Sequence, residues 1–259
     1  MTSLNQATRR VAALETLEPR KLLADATLDL NWGDDNPDVP DGIGTITVTA
    51  PSDINVRSYT DLPGGATLVS GQINSSPSVG FALLRNADGS LDTSFGTDGE
   101  QRYDFGGFEK VLPQTDGTFV ALVAGRVIGG PSLVKLAADG SITEVLLTSP
   151  PELDGFSVDV EPLANGNFLV VSDNGMALVA GTGGLVESFG NNGVVQFFSQ
   201  DFILFDPAAA VVNDDGSILL AGQENSITTS NDFAQVRRFN ADGSPDLLFG
   251  TDGIFQFDE

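Results

Sequence analysis

The fold of this chain is decided by residues 86–99, which read NADGSLDTSFGTDG. Almost the same stretch returns at residues 240–253 as NADGSPDLLFGTDG. Two weaker copies lie between them, ADGSIT at 138–143 and TGGLVESFGNNG at 182–193, and a partial copy, LDLNWG, occupies residues 28–33. A unit that returns at a period of roughly 20–50 residues is typical of solenoids, propellers and other repeat arrays. The sequence therefore predicts a stack of small, similar substructures.

A second part of the unit keeps the same period. Each unit has a glycine turn followed by a run of β-branched, aromatic and aliphatic residues, and the turn glycines are Gly65, Gly117, Gly166 and Gly216. They lie 52, 49 and 50 residues apart. In the second unit, Asp-Gly turns and β-rich runs predict four antiparallel strands joined by hairpins. These strands are expected at residues 110–113, 118–123, 132–136 and 142–147.

A four-stranded meander repeated about an axis is a β-propeller blade. We therefore predict an all-β, β-propeller-like array of about four four-stranded antiparallel blades plus a partial N-terminal unit. A linear solenoid usually repeats at shorter intervals, and a β-sandwich needs no repeat that stays in step. The large rings that precede a glycine in four of the five copies are expected to pack as wedges between adjacent blades. They are Phe95, Phe189, Phe249 and Trp32.

The repeats divide the chain into two parts. Residues 1–25 are interpreted as an N-terminal targeting or sorting segment, and residues 26–259 as the repeat domain. Within that domain the predicted units span about 50–107, 108–157, 158–205 and 206–259. Four units are compatible with a small closed ring or with an open arc, and an open arc is expected to self-associate through its exposed blade edges.

Composition excludes several classes of function. The 12 Lys and Arg residues face 36 Asp and Glu residues, so the formal net charge is −24. Nucleic acid and anionic membrane surfaces both require a positive protein surface, so neither is an expected partner. No apolar run reaches the ~20 residues that a transmembrane helix needs. The chain has neither Cys nor His, which excludes disulfides, the usual zinc sites and Ser-His-Asp or Cys-His catalytic groups.

The units resemble the delta-60 repeat of large bacterial secreted and surface proteins. In that repeat, an F-x-L-x-R run precedes an ADGSLD-x-SFG-x-DG stretch, and residues 81–99 and 233–253 carry this pattern best. The resemblance covers roughly residues 27–257. It implies a propeller-like fold and a secreted or cell-surface location, and it carries no established catalytic activity.

The N-terminal segment has a resemblance of its own. Residues 17–23, LEPRKLL, resemble the LEPR-x-LL segment found near the start of many bacterial surface and extracellular proteins. This resemblance implies export or sorting, and Ala24-Asp25-Ala26 is a short match to a cleavage site. The alternative is an N-terminal helix without a targeting role.

Acidic loops are the main candidates for chemistry. Asp34, Asn36, Asp38 and Asp41 lie within eight residues and form the candidate calcium site, since calcium prefers oxygen ligands from flexible loops. The alternative is that the Asp and Asn residues of this chain only cap turns. No other cofactor is predicted.

Arginine and paired carboxylates supply two further hypotheses. Arg85 and Arg237, taken as equivalent positions before the Asn-Ala-Asp-Gly turns, are each expected to pair with the acidic turn of their own blade. A pair of buried carboxylates in a propeller channel would support glycoside hydrolysis. We therefore expect a non-catalytic repeat protein that binds or scaffolds an unknown protein or glycan at the cell surface. The alternative is a carbohydrate-active hydrolase.

Overall fold

A computed structural model describes residues 54–74, 79–123, 132–148, 150–153, 155–197, 203–226 and 232–257. All of them belong to one compact unit, residues 46–259. The predicted sorting segment, the partial unit at 28–33 and the ring of Trp32 lie outside the described residues. Within the described part, no helix is both long and apolar enough to cross a membrane.

The described residues form four antiparallel sheets, each of four strands in chain order. The first sheet contains β1 Ile54–Asp61, β2 Thr67–Ile73, β3 Val79–Arg85 and β4 Glu100–Tyr103. The second contains β5 Phe108–Pro113, β6 Phe119–Val123, β7 Leu133–Leu136 and β8 Ile142–Leu147. The third contains β9 Ser157–Pro162, β10 Phe168–Ser172, β11 Gly175–Val179 and β12 Val194–Gln196. The fourth contains β13 Ile203–Val212, β14 Ile218–Ser226, β15 Asp232–Phe239 and β16 Ile254–Gln256.

This architecture confirms the predicted all-β, propeller-like array of four-stranded antiparallel blades. The strands of the second sheet begin and end within two residues of the predicted positions. Apart from these strands, the described residues contain one short 3-10 helix, Pro151–Leu153. The predicted hairpin turns form because their glycines take up positive φ, for example +81° at Gly117.

The sheets stack in chain order through their first strands. β1 packs on β5, β5 on β9, and β9 on β13, while no comparable contact joins β13 to β1 within the described residues. Each sheet therefore has a backward face, toward the preceding unit, and a forward face, toward the following unit. Three apolar clusters fill the spaces between successive sheets, and each cluster combines forward-face residues of one sheet with backward-face residues of the next.

The first strand of every sheet contains a bulge at the same point of the repeat. The pairing with the second strand skips Arg57 in β1, Glu109 in β5, Val158 in β9 and Ala208 in β13. These residues are 52, 49 and 50 positions apart, which is the spacing of the turn glycines. A β-bulge bends its strand and increases the local twist. The repeat therefore specifies a bend in each of the strands that meet at the centre of the array.

Two of the predicted wedges are confirmed. Phe95 and Phe189 are buried completely or almost so. Phe95 packs on Gly140 of the second sheet, and Phe189 packs on Gly243 of the fourth. A backbone hydrogen bond accompanies each ring: Gly96 donates to the Asp139 carbonyl at 2.9 Å, and Gly190 donates to the Asp242 carbonyl at 2.8 Å.

Phe249 differs from these two rings because it is only half-buried. No described sheet follows the fourth one, so the packing of Phe249 between two blades stays a prediction. The second unit has lost its Phe-Gly pair, and the buried residues Leu146 and Leu147 lie in the cluster between the second and third sheets instead. There, Gly184 donates its backbone N–H to the Leu146 carbonyl at 2.9 Å.

Candidate functional site

Charged side chains on the first strands link neighbouring sheets. Arg57 of β1 donates a hydrogen bond to Glu109 of β5. Lys110 of β5 binds two carboxylates of β9, with its Nζ 2.9 Å from Asp159 Oδ1 and 2.6 Å from Glu161 Oε1. The other oxygen of Asp159, Oδ2, accepts a hydrogen bond from the backbone N–H of Ala210 in β13 at 3.0 Å. Asp159 therefore joins the second, third and fourth sheets.

Asp159 and Glu161 form a pair of carboxylates around one cation, and they can be compared with the predicted catalytic pair. The Lys110 ammonium lies between them, and Asp159 is buried with both oxygens in hydrogen bonds. Burial alone would lower the pKa of Lys110, but the hydrogen bonds from Lys110 to Glu161 and Asp159 outweigh it and raise that pKa. The lysine stays protonated, so this group is a structural ion cluster with no unoccupied oxygen on Asp159 to protonate a leaving group.

The aspartates of the hairpin turns cap those turns. In five turns and in the Asp92 turn, one oxygen of the Asp accepts both the backbone N–H and the hydroxyl of the Ser or Thr two residues later. The Ser or Thr hydroxyl, followed by its backbone N–H, lowers the pKa of each of these carboxyl groups. The capping role is therefore confirmed for Asp88, Asp92, Asp116, Asp139, Asp215 and Asp242.

The candidate calcium ligands Asp34, Asn36, Asp38 and Asp41 lie outside the described residues. Within the described residues, no group of three or more acidic side chains has a geometry that would hold a metal ion. The calcium site remains a prediction about the acidic loop before Gly42.

The two arginines that precede the Asn-Ala-Asp-Gly turns are not equivalent. Arg85 lies opposite Thr67 and donates to the Gly89 carbonyl of its own turn at 2.6 Å. Arg237 lies opposite Leu220, two residues further from the turn, and its ion pair is with Glu224 on the neighbouring strand at 3.7 Å. The expected pairing of Arg237 with its own acidic turn is therefore wrong, because Phe239 occupies the position that Arg85 has in the first unit.

The position of Arg237 reveals a polar cluster that is specific to the fourth sheet. Counting from the turn glycines Gly65 and Gly216, three backward-face positions of the first sheet correspond to three of the fourth. The apolar residues Ile73, Phe81 and Leu83 form a buried cluster in the first sheet. Their counterparts by strand pairing in the fourth sheet are Glu224, Gln235 and Arg237.

The polar cluster is a connected network. Arg237 donates from Nε to Gln235 Oε1 at 3.3 Å, and its guanidinium carbon lies 4.1 Å from the centre of the Phe205 ring. Gln235 is 2% exposed and donates from Nε2 to Glu224 and, at 3.5 Å, to Gln256 Oε1. Burial lowers the pKa of Arg237, and the charge of Glu224 opposes that effect. Each member of the network is therefore held in place by another.

A cavity of about 620 Å³ opens beside this network. Its polar lining residues are Glu224, Gln235, Gln256 and Thr251, and its apolar lining residues are Ile254 and Phe255. β16 and the turn before it form one wall, so the cavity lies at the outer edge of the fourth sheet. Binding sites commonly combine apolar walls with a few fixed polar groups. The network and its cavity are the candidate functional site.

The sequence did not predict this site, because Glu224 matches no motif and Arg237 was aligned with Arg85 of the first unit rather than with Leu83. The residues stand out only when the first and fourth units are aligned by strand pairing. In that alignment, a Glu, a Gln and an Arg of the fourth unit occupy the positions of an Ile, a Phe and a Leu of the first. The fifty-residue period is enough to align the units, so a position-by-position comparison of their sequences would have found these substitutions.

Comparisons with known proteins agree with the fold. Residues 214–249 match the model of a domain of unknown function (DUF5122) beta-propeller. Curated protein sequences give no significant match.

Two solved structures illustrate the likeness at the level of the whole chain. A protein of unknown function from Bacteroides caccae is 16% identical, with a TM-score of 0.48, over 82% of this chain and 75% of that one. A catalytically inactive virginiamycin B lyase from Staphylococcus aureus, solved with quinupristin, is 11% identical, with a TM-score of 0.43, over 82% of this chain and 72% of that one.

Proposed function

We propose that this chain is a non-catalytic binding or scaffolding module of the propeller-repeat type, secreted or attached to the cell surface, and that it binds its ligand in the cavity of the fourth sheet. One observation carries the proposal. The fourth sheet has a Glu-Gln-Arg network at positions that are apolar in the first sheet, and this network borders a cavity. Gln235 is buried, and Glu224 and Arg237 are partly buried.

Stability does not explain the network. Buried ion pairs lose much of their attraction to desolvation, and well-packed apolar residues in their place are often neutral or stabilising by about 1–4 kcal/mol. The first sheet demonstrates that this repeat accommodates Ile73, Phe81 and Leu83 at these positions. Departures from the local pattern of a fold concentrate at functional sites. Ligand binding accounts for the retention of polar residues here.

The lining favours a neutral, hydroxyl-rich ligand such as a sugar unit. Glu224 and Arg237 compensate each other's charge, so the network as a whole does not select an ion. Glu224 Oε1, the amide group of Gln256 and the hydroxyl of Thr251 supply an acceptor, two donors and a group that does both. Ile254, which shares the Arg237 side of the sheet by strand pairing, offers an apolar surface to the C–H groups of such a ligand.

The cellular location rests on the sequence. The resemblance to the delta-60 repeat and to the LEPR-x-LL segment at residues 17–23 supports a bacterial secreted or surface protein. The acidic composition is compatible with that setting, since a net charge of −24 keeps a protein soluble outside the cell. Under this proposal, residues 1–25 direct the protein to its cellular location, and residues 26–259 bind the ligand.

The hydrolase alternative is less well supported by the geometry. Glycoside hydrolysis needs one carboxyl group with a raised pKa and a second one free to act as nucleophile or base. Asp159 and Glu161 share the protonated Lys110, and the oxygens of Asp159 are occupied by that lysine and by two backbone N–H groups. A substrate would have to displace this cross-link, which holds three sheets together.

Isothermal titration of the full chain with a panel of neutral oligosaccharides tests the proposal. We expect binding by at least one sugar, without turnover, and about fivefold weaker binding after Gln256→Ala, because one hydrogen bond contributes about 1 kcal/mol. The matched control is Gln101→Ala, which makes the same change on β4, the corresponding strand of the first sheet. If Gln256→Ala leaves sugar binding unchanged, the cavity is not the binding site. Hydrolysis of a bound sugar would support the alternative function.

The calcium candidate is tested separately. Titration of the full chain with calcium chloride is expected to give a saturable signal that Asp38→Asn weakens, if the loop containing Asp34, Asn36, Asp38 and Asp41 is a site. The change removes a charged oxygen ligand, and calcium affinity depends on ligand charge. An identical isotherm for the variant would exclude Asp38 as a ligand.

A further inference from the structure

The dipeptide Asn-Gly brings an electrophilic side-chain amide next to a backbone nitrogen that no side chain shields. It occurs three times in the chain, and all three copies belong to the third unit, at Asn165-Gly166, Asn174-Gly175 and Asn192-Gly193. Both residues of the first pair are exposed, whereas Gly175 and Gly193 are buried. Asn165 is therefore the one of the three that lies at the surface together with the glycine that follows it.

Packing around the three glycines differs in the same way. A Cβ atom placed on Gly166 would find nothing within 4 Å beyond its chain neighbours. One placed on Gly175 would lie 2.5 Å from the Val195 carbonyl oxygen, and one on Gly193 would lie 2.6 Å from Leu185 Cβ. The backbone must rotate before the glycine nitrogen can approach the carbon of the preceding amide. Gly166 has space for that rotation, and the two buried glycines do not.

A backbone hydrogen bond restrains the attacking nitrogen but does not distinguish the exposed pair from the buried one. Gly166 donates its N–H to the Leu163 carbonyl at 2.9 Å, and Gly193 donates to the Phe189 carbonyl at 2.8 Å. The difference lies in the free energy of local opening, which is lowest for exposed turns and highest for packed segments. The nitrogen of Gly166 is therefore released far more often than that of Gly193.

The side chain of Asn165 is already folded back on its own turn. Its Oδ1 accepts the backbone N–H of Asn167 at 3.1 Å, the contact that Asp116 makes with Thr118 in the second unit. This hydrogen bond draws electron density away from the amide carbon. In the described part of the chain no residue binds Nδ2, so the leaving group is free to depart into water.

The equivalent turns of the second and fourth units carry Asp in place of Asn, at Asp116 and Asp215. The hydroxyl of the Thr or Ser two residues later lowers the pKa of both carboxyl groups, so they are ionised at neutral pH. A carboxylate carbon is a poor electrophile, and a carboxylate oxygen is a poor leaving group. The uncharged amide of Asn165 is the reactive member of this set of turns.

We propose that Asn165 is a modification site, at which the chain deamidates through a cyclic imide with water as the co-reactant. The Gly166 nitrogen bonds to Cγ of Asn165, its proton passes to the departing amide nitrogen, and ammonia leaves. Water then opens the imide at either carbonyl, which gives aspartate or isoaspartate. The aspartate product has the side chain found in the turns of the second and fourth units, and either product adds one negative charge to the third unit.

Mass spectrometry of the folded full chain, incubated at mildly alkaline pH and then digested with chymotrypsin, tests the proposal. Cleavage after Phe168 and Phe189 places Asn165, Asn174 and Asn192 on different peptides. We expect the amide-to-acid mass change at Asn165 at least about tenfold faster than at the other two, since about 1.4 kcal/mol in opening free energy is a tenfold change in rate. Incubation in urea is the control, in which the three rates should converge.

Asn165→Gln is the matched variant, because a Gln side chain would have to close a larger ring and is expected to show no mass change in the same time. A folded chain in which Asn165 reacts no faster than Asn192 would overturn the proposal. Aspartate formed without any isoaspartate would overturn the imide route, because direct hydrolysis of the side-chain amide gives aspartate alone.

Discussion

The ring of Phe95, in the turn before β4, packs against the backbone of Gly140 in the turn between β7 and β8. A Cβ atom placed on Gly140 would lie 2.8 Å from Phe95 Cε2, closer than side chains approach each other in proteins. Phe189 and Gly243 repeat this relationship between the third and fourth sheets, at 3.0 Å from Phe189 Cε2. The glycine of the Asp-Gly turn therefore serves two purposes, since it gives the turn its backbone conformation and leaves space for the ring of the preceding unit.

Gly140→Ala is expected to destabilise the protein by about 2–5 kcal/mol. The alanine would be strained at a φ of +82°, at about 1–2 kcal/mol, and its methyl group would displace the Phe95 ring, at about 1–3 kcal/mol. Gly117→Ala is the matched control, because Gly117 has a φ of +81° and no atom within 4 Å of the added methyl group. Urea unfolding measures both, and equal losses would show that the ring contributes nothing.

Lys110→Met is expected to lower stability by about 1–2 kcal/mol. It leaves the buried carboxylate of Asp159 without its cation, and the loss falls short of the value for a fully buried pair because the lysine side chain is 34% exposed. Lys135→Met on β7 of the same sheet is the control, because no described salt bridge involves Lys135. Chemical denaturation of both variants is the measurement, and equal stability of the two would contradict a structural role for the ion cluster.

The lowered pKa values of the turn aspartates predict that the folded protein loses stability in acid. Their carboxyl groups have a pKa lower in the folded chain than in the unfolded one, so the unfolded chain binds more protons at acidic pH. The stability they contribute is present above pH ~4 and is lost as pH falls through the lowered values. Asn165 performs the same capping in the third unit, accepting the N–H of Asn167 at 3.1 Å.

A variant with Asn in place of Asp88, Asp116, Asp139, Asp215 and Asp242 should keep its turns and lose this pH dependence. Urea midpoints measured between pH 6 and pH 2.5 are expected to fall less steeply for the variant than for the parent chain. An identical slope for both proteins would show that these carboxylates do not determine acid stability.

Replacing the polar network by apolar residues of similar volume separates binding from stability. The variant Glu224→Leu, Gln235→Met, Arg237→Met should be as stable as the parent chain or more stable by up to about 4 kcal/mol, and it should lose ligand binding. Glu224→Leu alone is expected to destabilise, because Arg237 then loses its carboxylate partner. If the triple variant unfolded more easily than the single one, the network would be a stabilising feature of the fourth sheet.

The sequence predicts the repeated parts of this fold well. Hairpin glycines such as Gly117, the strands they join and the wedges Phe95 and Phe189 all follow from local turn chemistry and a fixed period. The bulges at Arg57 and its counterparts were not predicted, since a skipped pairing depends on both strands and leaves no residue signature.

Contacts between units also could not be predicted from the sequence. Lys110, Asp159 and Ala210 come from three units and are about fifty residues apart, and nothing local in the chain selects them as partners. The candidate site was missed for a related reason. Glu224, Gln235 and Arg237 are ordinary strand residues until the pairing of β14 with β15 places them on one face.

The most direct test of the account is nuclear magnetic resonance of the full chain with isotopically labelled glycine and phenylalanine. The central claim is that successive sheets are joined by a ring of one unit on a turn glycine of the next. It predicts strong nuclear Overhauser effects from Phe95 to the α-protons of Gly140 and from Phe189 to those of Gly243, with no comparable signal at Gly117 or Gly166, where the space beside the glycine is open. The absence of both signals from folded protein would contradict the proposed packing between successive sheets.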